Sequence, residues 1–121
     1  MAYSSRSARR SSDVARAGEV PHLVSFGGVR IGHGLYNANP LFRAVSLALY
    51  SDGFIIGPRY PWLSKAVPSW MARYDEIVAM WATGRRGIDV SVPDDRALFW
   101  SAARSNLEAG FLAHGVVMEQ A

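Results

Sequence analysis

Apolar side chains recur at helical spacing between Pro68 and Gly84. The aromatic and aliphatic residues that set this pattern are separated by four, three and four positions; they are Trp70, Tyr74, Ile77 and Trp81. At 3.6 residues per turn these positions share one narrow face, which we expect to be buried. Gly84 is the predicted end because glycine adopts the left-handed conformation at low cost. The pattern therefore predicts a helix over 68–84 with Trp70 and Trp81 in the core.

A second helix is predicted from Asp94 onward. Ser91-x-x-Asp94 resembles a capping box, and Pro93 is tolerated in a first helical turn. The following residues form two apolar faces, one centred on Phe99, Ala103, Leu107 and Phe111, the other on Leu98, Ala102, Ala109 and Leu112. A helix that is apolar on two sides needs two neighbours. For the face of Leu98 and Leu112, that neighbour is either the chain's own strands or another subunit.

The segment between these two helices, residues 84–91, carries the adjacent pair Arg85 and Arg86. A DNA-reading helix-turn-helix has a turn of about three or four residues, which is shorter than this connection. The acidic pair Asp94-Asp95 at the start of the next helix would also repel phosphates. We interpret Arg85 and Arg86 as cations that stabilise the carboxyl-terminal dipole of the first helix. The alternative is that they contact phosphate.

The chain before Pro58 predicts a small sheet and a third helix. Two β-prone runs, 22–26 and 29–31, flank Gly27-Gly28, which favours a tight hairpin. Asn39-Pro40 predicts a short helix that closes at Gly53, and residues 54–56 are expected to add a third strand. Gly32-His33-Gly34 matches neither common nucleotide-binding glycine motif, so we interpret it as a turn.

Three prolines between Pro58 and Pro68 indicate a stiff, extended connector. Tyr60 and Trp62 alternate with these prolines, and their rings need cover. They either pack on the chain's own helices or anchor a neighbouring subunit, where tyrosine and tryptophan are frequent strong contributors.

Residues 1–20 are rich in serine and arginine and contain no recurring apolar positions. Four arginines in this segment outweigh its two acidic residues, so it contributes +4 − 2 = +2 of the net charge of +3. The arginines are Arg6, Arg9, Arg10 and Arg16. Such a segment cannot bury enough surface to offset its ordering entropy, so we predict a basic arm. This arm has three possible interpretations. It is a solvated terminus, it binds phosphate or an acidic protein surface by electrostatic attraction, or it is an organellar transit segment.

Composition limits the remaining function classes. The 121 residues are 50% hydrophobic and include no cysteine, which excludes disulfides, thiolate metal sites and cysteine nucleophiles. No apolar run reaches the ~18–20 residues that span a bilayer, so we expect a soluble or peripheral protein without a membrane span. The three histidines lie far apart, and no catalytic or metal-binding motif occurs. We therefore expect no enzyme activity, cofactor, metal or small-molecule substrate.

Together these patterns predict an arm over residues 1–20 and a single α+β domain over 21–121, with a small hairpin-based sheet and about three helices. The leading functional hypothesis is a non-enzymatic structural subunit of a large assembly, most concretely a virion or phage-particle component, whose partners are other protein subunits. The alternatives are a small nucleic-acid-binding regulator and an accessory subunit of an organellar or ribosome-like complex. The sequence does not indicate a cellular location.

Overall fold

The computed structural model describes residues 19–31, 36–37, 45–60, 62 and 69–120. These residues form strands β1 to β9, one α-helix and a 3₁₀ turn, and Trp62 also has 3₁₀ conformation. In chain order the strands are β1 (Leu23–Ile31), β2 (Tyr36–Asn37), β3 (Val45–Leu49), β4 (Gly53–Pro58), β5 (Trp70–Arg73), β6 (Ala79–Thr83), β7 (Gly87–Val92), β8 (Asp95–Ser101) and β9 (Glu119–Gln120). The helix α1 is Arg104–Ala113, and the 3₁₀ turn is Tyr74–Glu76.

All strands belong to one sheet, with the order β5-β4-β3-β1-β8-β7-β6-β9 and with β2 attached to β1 outside this path. Neighbouring strands are antiparallel except β6 and β9, which are parallel. β1 lies at the centre, with β3 on one side and β8 on the other. Residues 23–27 pair with β3, whereas residues 27–31 pair with β8.

Helix α1 packs against the inner face of the sheet. Leu107 and Phe111 are its buried residues. The Phe111 ring meets Phe54 edge-on at 5.2 Å between centroids. Large apolar side chains from strands on both sides of β1 complete this core; the fully buried ones include Trp70, Leu47, Leu49, Ile56, Met80, Ile88 and Phe99. Burial of this apolar surface is the main force that holds the helix on the sheet.

The strand pattern is clearest in β7, where burial alternates with period two. Ile88, Val90 and Val92 are buried, while Asp89 and Ser91 between them are partly exposed. Successive side chains of a strand point to opposite faces, and branched aliphatic residues favour this conformation. β7 therefore contributes three side chains to the core and presents polar ones outward.

The predicted fold class is wrong. An α+β domain with about three helices was expected, but the described residues are mostly β-structure and include a single α-helix. The sheet is also much larger than the expected hairpin with one added strand. The error arose where strands adjoin turns, because apolar residues in two consecutive strands can mimic helical spacing.

The predicted helix over 68–84 is replaced by β5, the 3₁₀ turn and β6. Trp70 is fully buried, as expected, and its indole N–H donates to Asp95. Trp81 is 40% exposed because Met80 and Ala82 on either side of it take the inward positions of β6. The proposed aromatic stripe is therefore divided between two faces of the sheet.

The second predicted helix begins ten residues late. Residues from Asp95 to Ser101 form β8, and Pro93-Asp94 form the turn of the β7–β8 hairpin instead of a helix start. α1 begins only at Arg104. Leu98 is therefore on a strand and Leu112 on the helix, so the shared helical face assigned to them does not exist.

The upstream predictions have mixed outcomes. The third strand at residues 54–56 is confirmed as part of β4. The runs flanking Gly27-Gly28 form one continuous strand instead of a hairpin. Residues 45–49 of the predicted third helix are strand β3, and residues 38–44 lie outside the described part of the chain.

The predicted loop 84–91 is a tight turn followed by strand β7. Gly84 adopts the left-handed conformation expected of it, with φ of 59°, but in a β-hairpin. Arg104, at the start of α1, donates to the carbonyl oxygen of Gly84 at 2.6 Å. Within the described ranges, no helix has the length and apolarity needed to cross a bilayer.

Candidate functional site

Three exposed aromatic side chains and one half-buried arginine form what we call the aromatic–arginine patch: Phe26, Arg59, Tyr60 and Trp62. The Arg59 guanidinium lies 4.1 Å from the centroid of the Phe26 ring and 5.1 Å from that of Tyr60. Tyr60 in turn stacks on Trp62, with 5.7 Å between centroids and 14° between ring planes. The exposed fractions are 38% for Phe26, 39% for Tyr60 and 76% for Trp62. The patch is thus a row of stacked planar groups open to solvent.

Strand register explains why these groups meet. Phe26 is on the outer face of β1, opposite Ser46 of β3, which is opposite Gly57 of β4. Serine and glycine add little side-chain volume to this row. Arg59 follows directly after β4 and can therefore lie across the row to reach the Phe26 ring. Cation–π contacts of this kind contribute about 0.5–1 kcal/mol at exposed sites.

One side of β1 beside the patch has no strand partner among the described residues. Residues 23–26 pair with β3 on one side, but on the other side β8 ends where Ser101 pairs with Gly27. We call residues 23–26 the free β1 edge. A depression of about 190 Å³ lies along it, between residues 24–26 and residues 101–103.

Two of the residues that line this depression are serines that bind each other. The hydroxyl groups of Ser25 and Ser101, both buried, are hydrogen-bonded to each other. The Ser101 hydroxyl oxygen also accepts from the main-chain N–H of Ala103, where the chain turns into α1. These bonds fix the point at which β8 leaves the neighbourhood of β1.

The outer face continues from the patch onto β8. The register places Gly28 opposite Trp100 and Arg30 opposite Leu98. The Arg30 guanidinium lies 5.7 Å from the centroid of the Trp100 ring. In the described part of the chain, neither Arg30 nor Arg59 forms an ion pair with a carboxylate. This face therefore combines aromatic surface with uncompensated positive charge.

The structure brings together only some of the predicted site residues. Tyr60 and Trp62 contact each other, whereas Leu98 is partly buried on β8 and Leu112 is 58% exposed on α1. Arg85 and Arg86 are exposed in the β6–β7 turn. The carboxyl-terminal helix dipole invoked for this pair is not there, because no helix precedes the turn. The arm residues Arg6, Arg9, Arg10 and Arg16 lie outside the described residues.

Sequence reasoning missed Phe26, Arg59 and Trp100 as surface residues. The alternation of Val24 and Phe26 with the small residues Ser25 and Gly27 carried the signal for Phe26. Trp100 was assigned to a helix, so its position beside Arg30 could not be inferred. No sequence pattern linked Arg59 to Phe26, because their contact depends on the register of three strands.

A second ring cluster lies near the start of the described chain. His114, at the end of α1, stacks on Tyr74 at 4.4 Å and on His22 at 5.6 Å between centroids. The Tyr74 hydroxyl donates to the carbonyl oxygen of Tyr50 at 2.6 Å. Burial of the ring, with smaller contributions from the carboxylates of Asp52 and Glu19, raises the pKa of Tyr74 well above its ordinary range. This cluster packs the end of α1 against residues next to the ends of the strands.

Comparisons of the chain with models of known protein families, with curated proteins and with solved structures found no match.

Proposed function

We propose that this protein is a non-enzymatic structural subunit of a large assembly, most concretely a component of a virion or phage particle, and that the aromatic–arginine patch is its contact surface. The observation that carries this proposal is the exposed stack of Phe26, Arg59, Tyr60 and Trp62. Stacked rings at a solvent-facing position cost hydrophobic free energy unless a partner covers them.

The chemistry of the patch favours a protein partner. Tyrosine, tryptophan and arginine are the residues most enriched among strong contributors to protein interfaces. They supply a large apolar area together with hydrogen-bond donors, and they lose little side-chain entropy when covered. The Arg59 guanidinium already lies against two rings, which restricts its motion before a partner arrives.

The test is incorporation into the native assembly. A tagged wild-type chain should sediment with high-mass particles from its source, and the double variant Tyr60→Ser/Trp62→Ser should sediment as a free, folded protein. Val117→Ser is the matched control, because Val117 is 65% exposed away from the patch. It should incorporate like wild type. If the wild-type chain sediments as a free monomer, the proposed function is refuted.

A nucleic-acid-binding regulator is the second candidate, supported by the exposed pair Arg85 and Arg86. In the described residues neither side chain forms an ion pair, and together with the predicted arm they could contact phosphates. The charge of the body argues against this candidate, because residues 21–121 contribute only +1 of the net +3.

A further inference from the structure

We infer that the free β1 edge, residues 23–26, takes up an extended acidic peptide segment of a neighbouring subunit as an added strand, with the aromatic–arginine patch beside it. The inference rests on the proposed function as an assembly subunit and names the chemistry of the partner. It draws on the backbone, the side-chain alternation and the charge of this region.

The backbone argument concerns hydrogen bonds. A strand has N–H and C=O groups on both sides, and those on an uncovered side form a template for another strand. β8 covers one side of β1 only as far as the pair Gly27 and Ser101. A segment lying along residues 23–26 would continue the line of β8. Four residues of extended chain occupy about 13 Å, which sets the length of the added strand.

The alternation of side chains along β1 determines what such a segment must carry. Val24 and Phe26 point outward and are partly exposed, whereas Ser25 points inward and is buried. On the inner side, Leu23 lies against Gly110 of α1, where a β-carbon would come within 3.2 Å of the Leu23 side chain, so little room is left there. The segment therefore needs small inward residues and larger outward ones, in the alternating pattern of strand addition.

The charge argument selects an acidic segment. Arg59 lies over Phe26, the last residue of the free β1 edge. In the described chain its guanidinium has no carboxylate partner. An outward Asp or Glu residue on the segment would neutralise it. Complementary charge at the rim of an interface governs partner choice and the rate of association.

The test uses the full chain and synthetic probe peptides. The acidic probe is acetyl-Glu-Val-Glu-Ala-Glu-Val-amide, the basic probe has Lys in place of Glu, and two further acidic probes carry N-methyl groups on alternate amides in either register. We expect the acidic probe to bind and to slow amide exchange within residues 23–26. The basic probe and at least one N-methylated probe should bind at least about tenfold more weakly.

Arg59→Gln should weaken binding of the acidic probe about fivefold, since a partly exposed charge pair is being removed. Arg73→Gln is the matched control, because Arg73 ends β5, away from the free β1 edge, and pairs with Asp75 of the 3₁₀ turn. It should bind like wild type. Because Arg59 is on the surface, both variants should stay folded, which circular dichroism checks.

Any of three results with the peptides would overturn the inference: no binding of the acidic probe, equal binding of the acidic and basic probes, or binding of both N-methylated probes as tight as that of the unmethylated acidic probe. Displacement of the acidic probe by single-stranded oligothymidylate would instead assign the edge to nucleic acid and would also overturn it. Particle incorporation is measured separately, so failure of the peptide test with normal incorporation refutes only the added strand.

Discussion

Gly27 is the residue at which β1 pairs with both β3 and β8, and its lack of a side chain allows the close approach of β8. A β-carbon built there would lie 1.6 Å from the Trp100 carbonyl oxygen. This contact is with main chain, which cannot rotate away as a side chain could. At Gly27 the two paired strands therefore approach each other to a separation that only glycine permits.

Gly27→Ala should destabilise the protein by at least about 2–3 kcal/mol, because the strands must separate to admit the methyl group. Gly57→Ala is the control. Its β-carbon would lie 3.3 Å from the movable Ser69 hydroxyl, so we expect a change of less than about 1 kcal/mol. Urea denaturation of both variants measures the difference. Equal midpoints would show that β1 and β8 can move apart at Gly27.

Tyr74 makes the stability of the fold sensitive to alkaline pH. Its pKa is raised in the folded protein, mainly by burial, so the folded state favours the neutral phenol. This stabilisation is complete below the ordinary tyrosine pKa of about 10 and is lost as the pH rises above it.

The free energy of unfolding of wild type should therefore fall more steeply above pH 10 than that of Tyr74→Phe, which has no proton to lose there. Urea titrations at pH 8 to 11 provide the measurement. Parallel curves for wild type and Tyr74→Phe would contradict the assigned burial effect.

At the scale of elements, Trp70 and Trp81 show why the helical spacing of apolar residues wrongly predicted a helix over this segment. Their spacing fits a helix, yet Trp70 and Trp81 lie on separate strands with opposite burial. The turn between them, which includes the 3₁₀ segment Tyr74–Glu76, resets the register of side chains. The spacing of apolar residues in the sequence does not reveal this change of side-chain direction, because the change depends on which strands pair.

Other elements could be predicted because their signal is local. The apolar run in β4 was recognised, and so was the left-handed conformation of Gly84. The alternation Ile88-Asp89-Val90-Ser91-Val92 was an equally local strand signal that was interpreted as a loop. For the candidate site, Tyr60 and Trp62 were identified from composition, whereas Phe26 and Arg59 required the sheet order.

Trp70→Ala should cost about 3–5 kcal/mol, since it empties a fully buried site and removes the bond to Asp95. Trp81→Ala should cost less than about 1.5 kcal/mol, because this ring is 40% exposed. Thermal unfolding separates the two variants. A larger loss of stability for Trp81→Ala would restore the predicted helical stripe and contradict the strand assignment.

At the scale of the whole molecule, charge divides into the predicted arm and a nearly neutral body. Residues 1–20 contribute +2 of the net +3. If the arm binds nucleic acid, its four arginines can neutralise at most about four phosphates, and affinity should fall with salt at a log–log slope of about −3 to −4. We instead expect a protein partner, and hence a shallow slope.

Filter binding of DNA by the intact chain and by a chain lacking residues 1–16, over a salt series, measures this slope. A steep slope that disappears with the deletion would favour the nucleic-acid regulator. Under the proposed function the deletion should prevent incorporation into particles while leaving weak DNA retention unchanged.

The central position of β1 also fixes an order of events during synthesis. β1, β3, β4 and β5 can pair in succession as the chain grows, but β8 joins β1 across a separation of 76 positions, measured between Ser25 and Ser101. Loop closure over such a distance slows folding. Until β8 is made, β1 lacks its second neighbour over its whole length and can pair with strands of other nascent chains. The interval between synthesis of β1 and synthesis of β8 is thus the one in which a chaperone would protect this protein most.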